Sequence, residues 1–119
     1  MQTHKNLQVW QKGISFVTKV YDRTKSFPKE EIYGIANQMR RAAVSIPSNI
    51  AEGCARRNTK EYIQFLYVSL GSASELETQL TISYNLGYLD DIEEITLQKE
   101  LQEIIRMLTG LIKSLSDRS

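Results

Sequence analysis

The chain has 119 residues and a mass of 13.7 kDa, 41% of them hydrophobic and 24% charged. That length and balance fit a single domain over residues 1–119 with a real core, and they exclude a disordered chain. The single Cys54 cannot close an intramolecular disulfide, and two prolines with six glycines are few for an all-β chain with its many tight turns. The N-terminal stretch Met1–Val9 is polar, and no apolar run approaches the ~20 residues that cross a bilayer. A cytoplasmic protein without membrane contact is therefore expected.

The formal net charge of +1 conceals an uneven distribution. Residues 1–60 carry eleven Lys/Arg against four Asp/Glu, which gives +7, and residues 61–119 carry four against ten, which gives −6. Such asymmetry suits a polyanion partner, contact between unlike surfaces of two copies, or mutual neutralisation of the halves on folding.

Four segments carry helical periodicity. In the first, Leu7, Trp10, Ile14, Val17 and Tyr21 recur at steps of three and four, with Val9, Phe16 and Val20 in a neighbouring stripe. Ser26-Phe27-Pro28 closes it and opens the next, because proline fits a first turn. The second stripe is Ile32, Ile35, Met39, Ala42, Ile46, Asn49 and Gly53, in one register on both sides of Pro47. It predicts one long helix from about Pro28 to about Arg57, kinked at Pro47. Two shorter helices broken at Ile46 are the alternative.

Asn58 with Glu61 forms a capping box for the third helix. Its inner stripe is Leu66, Ser69, Ala73, Leu76, Leu80 and Ser83, and Gly71–Ser74 adds small residues that suit close approach by a neighbour. Gly87 is a natural stop, and Asp90 or Asp91 can cap a fourth helix with stripe Leu97, Leu101, Ile104, Leu108, Leu111 and Leu115. Short connections between amphipathic helices predict an all-α, antiparallel, up-down-up-down four-helix bundle.

Catalytic patterns are missing from the sequence. One histidine and one cysteine cannot supply a four-ligand zinc site, and no Glu-x-x-His pair of the di-iron bundles occurs. Gly71-Ser72-Ala73-Ser74 lies inside a helical pattern and lacks the ending of a phosphate loop. No enzyme activity and no cofactor are expected.

Two sets of residues stand out. Arg40, Arg41, Arg56, Arg57 and Lys60 form a basic cluster suited to phosphates. Gln38, Ser45, Ser48 and Glu52, with Arg41 and Arg56, form a polar seam beside the second stripe, and Asn49 interrupts that stripe with an amide that needs a partner. Gln38, Ser45, Ser48, Asn49 and Glu52 are thus candidates for a subunit contact, with a solvated flank as the plainer alternative.

Val9-Trp10-Gln11-Lys12, Phe27-Pro28, Gln38–Ala42, Ser45–Gly53, Gly71–Glu77 and Leu86–Leu89 together resemble the bacterial 23S rRNA intervening-sequence proteins. Relatives of that family include the accessory variability determinant proteins of diversity-generating retroelements. The resemblance implies a four-helix bundle assembled as a ring-like homopentamer with no known enzymatic activity. Its retroelement relatives bind nucleic acid and a reverse transcriptase. Two functions follow as expectations: an oligomeric accessory protein that binds RNA or a nucleic-acid-processing protein, or a structural scaffold for protein interaction that binds no nucleic acid.

Overall fold

A computed structural model describes residues 3–118; Met1 and Gln2 of the polar N-terminal stretch and Ser119 lie outside it. Among the described residues there are four α-helices and no strand: α1 (Gln8–Thr24), α2 (Ile35–Cys54), α3 (Thr59–Asn85) and α4 (Asp91–Arg118). The chain is an all-α four-helix bundle. None of its described helices is long and apolar enough to cross a membrane.

Paired contacts set the order of the helices. Gly13 of α1 lies against Pro47 of α2, and Arg40 near the start of α2 reaches Thr24 at the end of α1. Met39 of α2 meets Ser83 of α3, while Gly53 meets Tyr62 and Phe65. On the other side Lys12 pairs with Glu103 and Arg23 with Glu93, and Gln98 of α4 donates to the Glu77 carbonyl of α3. Residue numbers rise along one helix of each pair as they fall along the other. The α1–α2 and α3–α4 connections therefore share one end of the bundle, and the α2–α3 connection lies at the opposite end.

The core follows the predicted stripes in α3 and α4. Leu66, Ser69, Ala73, Leu76, Leu80 and Ser83 are buried, as are Leu97, Leu101, Ile104 and Leu108. Fully burying one such leucine contributes about 1.5–3 kcal/mol. Caps fix the helix ends. The Asn58 side chain accepts from the Glu61 amide at 2.9 Å, and Asp90 accepts from the Glu93 amide at 2.8 Å while the Glu93 carboxylate accepts from the Asp90 amide. Gly87 ends α3 at φ +81°, with the Tyr88 amide donating to Ser83 and the Gly87 amide to Tyr84. That pair of bonds is a Schellman closure, and the left-handed backbone it needs favours glycine.

Two expectations are corrected. The second helix starts at Ile35 rather than Pro28 and ends at Cys54 rather than Arg57. Lys29–Tyr33 form a 3-10 turn instead, with the Glu31 amide bonded to Pro28 and the Gly34 amide to Glu31. The Glu31 carboxylate then caps α2 by accepting from the Ile35 amide at 3.3 Å, so the helix needs no earlier start. Between its ends α2 is unbroken through Pro47, which excludes a break at Ile46.

The second correction concerns α1. Val9, Gly13, Phe16 and Val20 are its buried face, while Ile14 and Tyr21 of the first predicted stripe are 43% and 41% exposed. Two adjacent apolar stripes compete for one core-facing arc of about 100°. The bulk of Phe16 takes the interior, and the Trp10–Tyr21 stripe is left at the rim beside α2.

Candidate interaction surfaces

The basic cluster does not come together. At a rise of ~1.5 Å per residue, Arg40 and Arg41 stand on the order of 20 Å along α2 from Arg56 and Arg57. Arg40 is committed to the fold. Its Nε donates to Thr24 Oγ1 at 2.8 Å and its Nη2 to the Tyr21 carbonyl at 3.3 Å, with the guanidinium 4.6 Å above the Tyr21 ring. Those bonds satisfy acceptors at the end of α1, where a cation suits the helix dipole. Arg56 pairs with Glu52 at 3.0 Å and covers the Phe65 ring at 4.6 Å. Arg41, Arg57 and Lys60 are exposed and have no ion pair among the described residues.

Charge asymmetry between the halves is partly cancelled within the chain. Lys12 meets Glu103 at 2.7 Å, Lys19 meets Glu100 at 2.6 Å and Arg23 meets Glu93 at 3.6 Å. The Lys12 ammonium holds the Glu103 carboxyl below its ordinary value by hydrogen bond and charge. Three first-half cations thus sit on second-half carboxylates, along the α1–α4 seam.

The polar seam of α2 divides between two faces. Gln38, Arg41 and Ser45 line a polar cavity of about 340 Å³ shared with Ser72 and Glu75 of α3. Ser72 Oγ donates to Ser45 Oγ at 2.8 Å, and the Asn49 amide donates to the Ser45 carbonyl at 2.8 Å and to its hydroxyl at 2.9 Å. Asn49 is half-buried, and its amide nitrogen is satisfied inside its own helix. That amide bonds Ser45 rather than the Ala43 carbonyl that Pro47 frees. Ser48 turns the other way, toward α1, and Glu52 is the partner of Arg56.

The Ser45–Gly53 block is dense with packing roles. Pro47 lies against Gly13, where a Cβ would stand 3.4 Å from its ring. Gly53 admits α3, since a Cβ there would stand 2.9 Å from both Phe65 Cβ and Tyr62 Cδ1. Beside that crossing, burial pushes the Tyr62 phenol up to about 12, helped by the adjacent Cys54 thiol. His4 is packed edge-on to Trp10 with ring centroids 5.1 Å apart, and no group of three or more His, Cys, Asp or Glu able to hold a metal occurs among the described residues.

Two apolar surfaces escaped the sequence patterns. Between α1 and α2 runs a groove of about 270 Å³ lined by Trp10, Ile14, Val17, Val44, Pro47 and Ala51, with His4 and Ser48 at its edge. Ile14 and Val44 stand exposed in it. On the outside of α3, Tyr67 and Val68 project beside Gly71, above which a Cβ would meet nothing within 4 Å. The sequence signal for the groove was the doubled stripe of α1, of which only one could be core. For the α3 surface it was the uncharged run Gln64, Tyr67, Val68, Gly71, Ser74 and Thr78, all on positions outside the inner stripe.

This bundle geometry agrees with the sequence families. Residues 5–110 match the 23S rRNA-intervening sequence protein family, so the chain belongs to that family. A protein of unknown function from the S23 ribosomal protein family of Bacteroides thetaiotaomicron has a similar solved structure, with a TM-score of 0.82. It is 22% identical, and the match covers 88% of this chain and 95% of that one; at that identity the likeness speaks for the fold. No curated protein matches the chain.

Proposed function

We propose that this protein is a non-enzymatic, self-assembling scaffold. Copies join in a closed ring, of five members as the family resemblance implies, with the α3 ridge of one copy seated in the α1–α2 groove of the next. The observation that carries this reading is the presence of two unlike apolar faces on one chain, a groove around Ile14 and Val44 and a ridge at Tyr67 and Val68. A ring needs two different, complementary patches per subunit, because its contacts are head-to-tail. Light scattering on the purified chain tests it. The native mass should be a multiple of 13.7 kDa, and Ile14→Lys should reduce it to one chain with helix content unchanged. An Ile14→Lys variant that keeps the native mass would remove the groove from the interface.

A second reading, RNA binding, is favoured by the exposed Arg41, Arg57 and Lys60, which have no ion pair among the described residues, and by a family description that refers to 23S rRNA. A ring would repeat one weak basic patch and gain avidity without new contacts. Anisotropy with a structured RNA across a salt series measures it. Binding should fall steeply with salt and should be lost in Arg57→Glu/Lys60→Glu; equal binding by that variant would exclude this surface.

A further inference from the structure

The end of the bundle formed by the α1–α2 and α3–α4 connections is unlike the rest of the surface. Its segments are tied together: Tyr88 donates to Glu31 at 2.8 Å, Tyr88 and Phe27 pack at 5.1 Å, and Tyr84 donates to Asp91. On that firm base large apolar side chains face solvent. Tyr33 is 93% exposed and Ile92 76%, with Ile32, Leu86 and Ile95 also exposed. Large apolar side chains exposed together on one end of a bundle mark an interaction site more often than chance scatter.

The same end is acidic on balance: the α1–α2 connection sets Lys25 and Lys29 against Glu30 and Glu31, and the start of α4 adds carboxylates only. Asp90, Asp91, Glu93 and Glu94 fall within five consecutive positions of the α3–α4 connection and α4 without an intervening cation. Part of that charge serves the helix: Asp90 and Glu93 cap each other, Glu93 also faces Arg23, and acids suit the positive end of a helix dipole. Glu30 and Glu94 have no cation partner among the described residues. Dipole compensation explains the carboxylates and leaves Tyr33 and Ile92 unexplained.

We infer that this end docks a basic, amphipathic segment of a different protein, its apolar face on Tyr33 and Ile92 and its cations beside Glu30 and Glu94. A second copy is a poorer fit. The opposite end of the bundle offers cations at Arg57, Lys60, Lys113 and Arg118, yet exposes no large apolar side chain within residues 3–10, 52–63 or 105–118. It could meet the charge and would leave the apolar residues uncovered. The inference stands apart from the ring contact, because neither Tyr33 nor Ile92 lies in the groove or on the ridge.

A labelled helical peptide of about 18 residues, with leucine and lysine at helical spacing, serves as the probe. Its anisotropy is followed against the full chain, with a second peptide carrying glutamate for lysine as control. The lysine peptide should bind, the glutamate peptide should not, and binding should weaken as salt rises. Tyr33→Ser/Ile92→Ser should weaken it about tenfold or more, as loss of apolar anchors does, and Glu30→Lys/Glu94→Lys should weaken it at low salt. Glu30, Tyr33 and Ile92 are exposed and Glu94 is half-buried, and unchanged helix content and unchanged native mass would show that fold and assembly persist. Equal affinity for the wild type and Tyr33→Ser/Ile92→Ser would overturn the inference. So would a fall in native mass in that variant, because the surface would then be covered by a second copy.

Discussion

Gly53 sets the distance between α2 and α3. A methyl group in its place would stand 2.9 Å from Phe65 Cβ and 3.1 Å from the Tyr62 carbonyl oxygen. A backbone atom and a Cβ are not the free ends of flexible side chains, so the helices themselves would have to separate. Gly53→Ala should therefore destabilise the chain by about 1–3 kcal/mol, the usual range for overpacking, although alanine is the better helix former. Urea unfolding measures this, and a variant as stable as the parent would mean that the crossing is looser than these distances require. The serines nearby act at the same scale. Ser69 donates to the Ile46 carbonyl at 2.9 Å from a fully buried position, and Ser72 joins Ser45. Two of the small residues of α3 thus bond α2 directly, where a leucine would hold the helices apart.

Each helix makes a different use of its apolar residues, and legibility from sequence varied accordingly. For α3 and α4 one stripe dominates, and the buried set matches it almost residue by residue, with Ile112 buried where Leu111 was expected and Leu111 only partly covered. Caps were legible too, since Asn58–Glu61, Gly87 and Asp90 each carry a local signature whose bonds do not depend on the rest of the fold. α1 was not, because period alone cannot choose between Trp10–Tyr21 and Val9–Val20; the position of α2 and α4 decides. The start of α2 was missed because Pro28, Glu30 and Glu31 are equally good openings for a 3-10 turn, and the Glu31 side chain caps the helix that follows. The interface residues proposed from the polar seam were scattered for a related reason. Residues on one flank of a wheel can look toward different neighbours, as Ser45 looks toward α3 and Ser48 toward α1. Gly110 on α4 gives a prediction at this scale. It is exposed, helical and open, and a methyl group placed on it would meet nothing within 4 Å. Gly110→Ala should raise stability by about 1 kcal/mol through helix propensity alone. Thermal and urea unfolding check it, and a loss of stability would indicate that something packs closely over that glycine.

Across the whole molecule, charge and apolar surface are arranged by face and by end. Ion pairs along the α1–α4 seam join the basic first half to the acidic second half, and they leave Arg57 and Lys60 at one end opposite the acids of the α4 start. The basic cluster of the sequence is therefore two separated groups, one of which is half consumed by Arg40 closing α1. The exposed apolar side chains Ile14 and Val44 on one face and Tyr67 and Val68 on another carry the central proposal that copies join groove to ridge. The most direct measurement mixes two defective variants. Ile14→Lys spoils the groove and keeps the ridge, and Tyr67→Lys spoils the ridge and keeps the groove. Each alone should be a single chain of 13.7 kDa by light scattering, and their equimolar mixture should form a two-chain complex and nothing larger, because only one sound groove and one sound ridge can meet. A mixture that stays monomeric, or single variants that retain the native mass, would contradict the account.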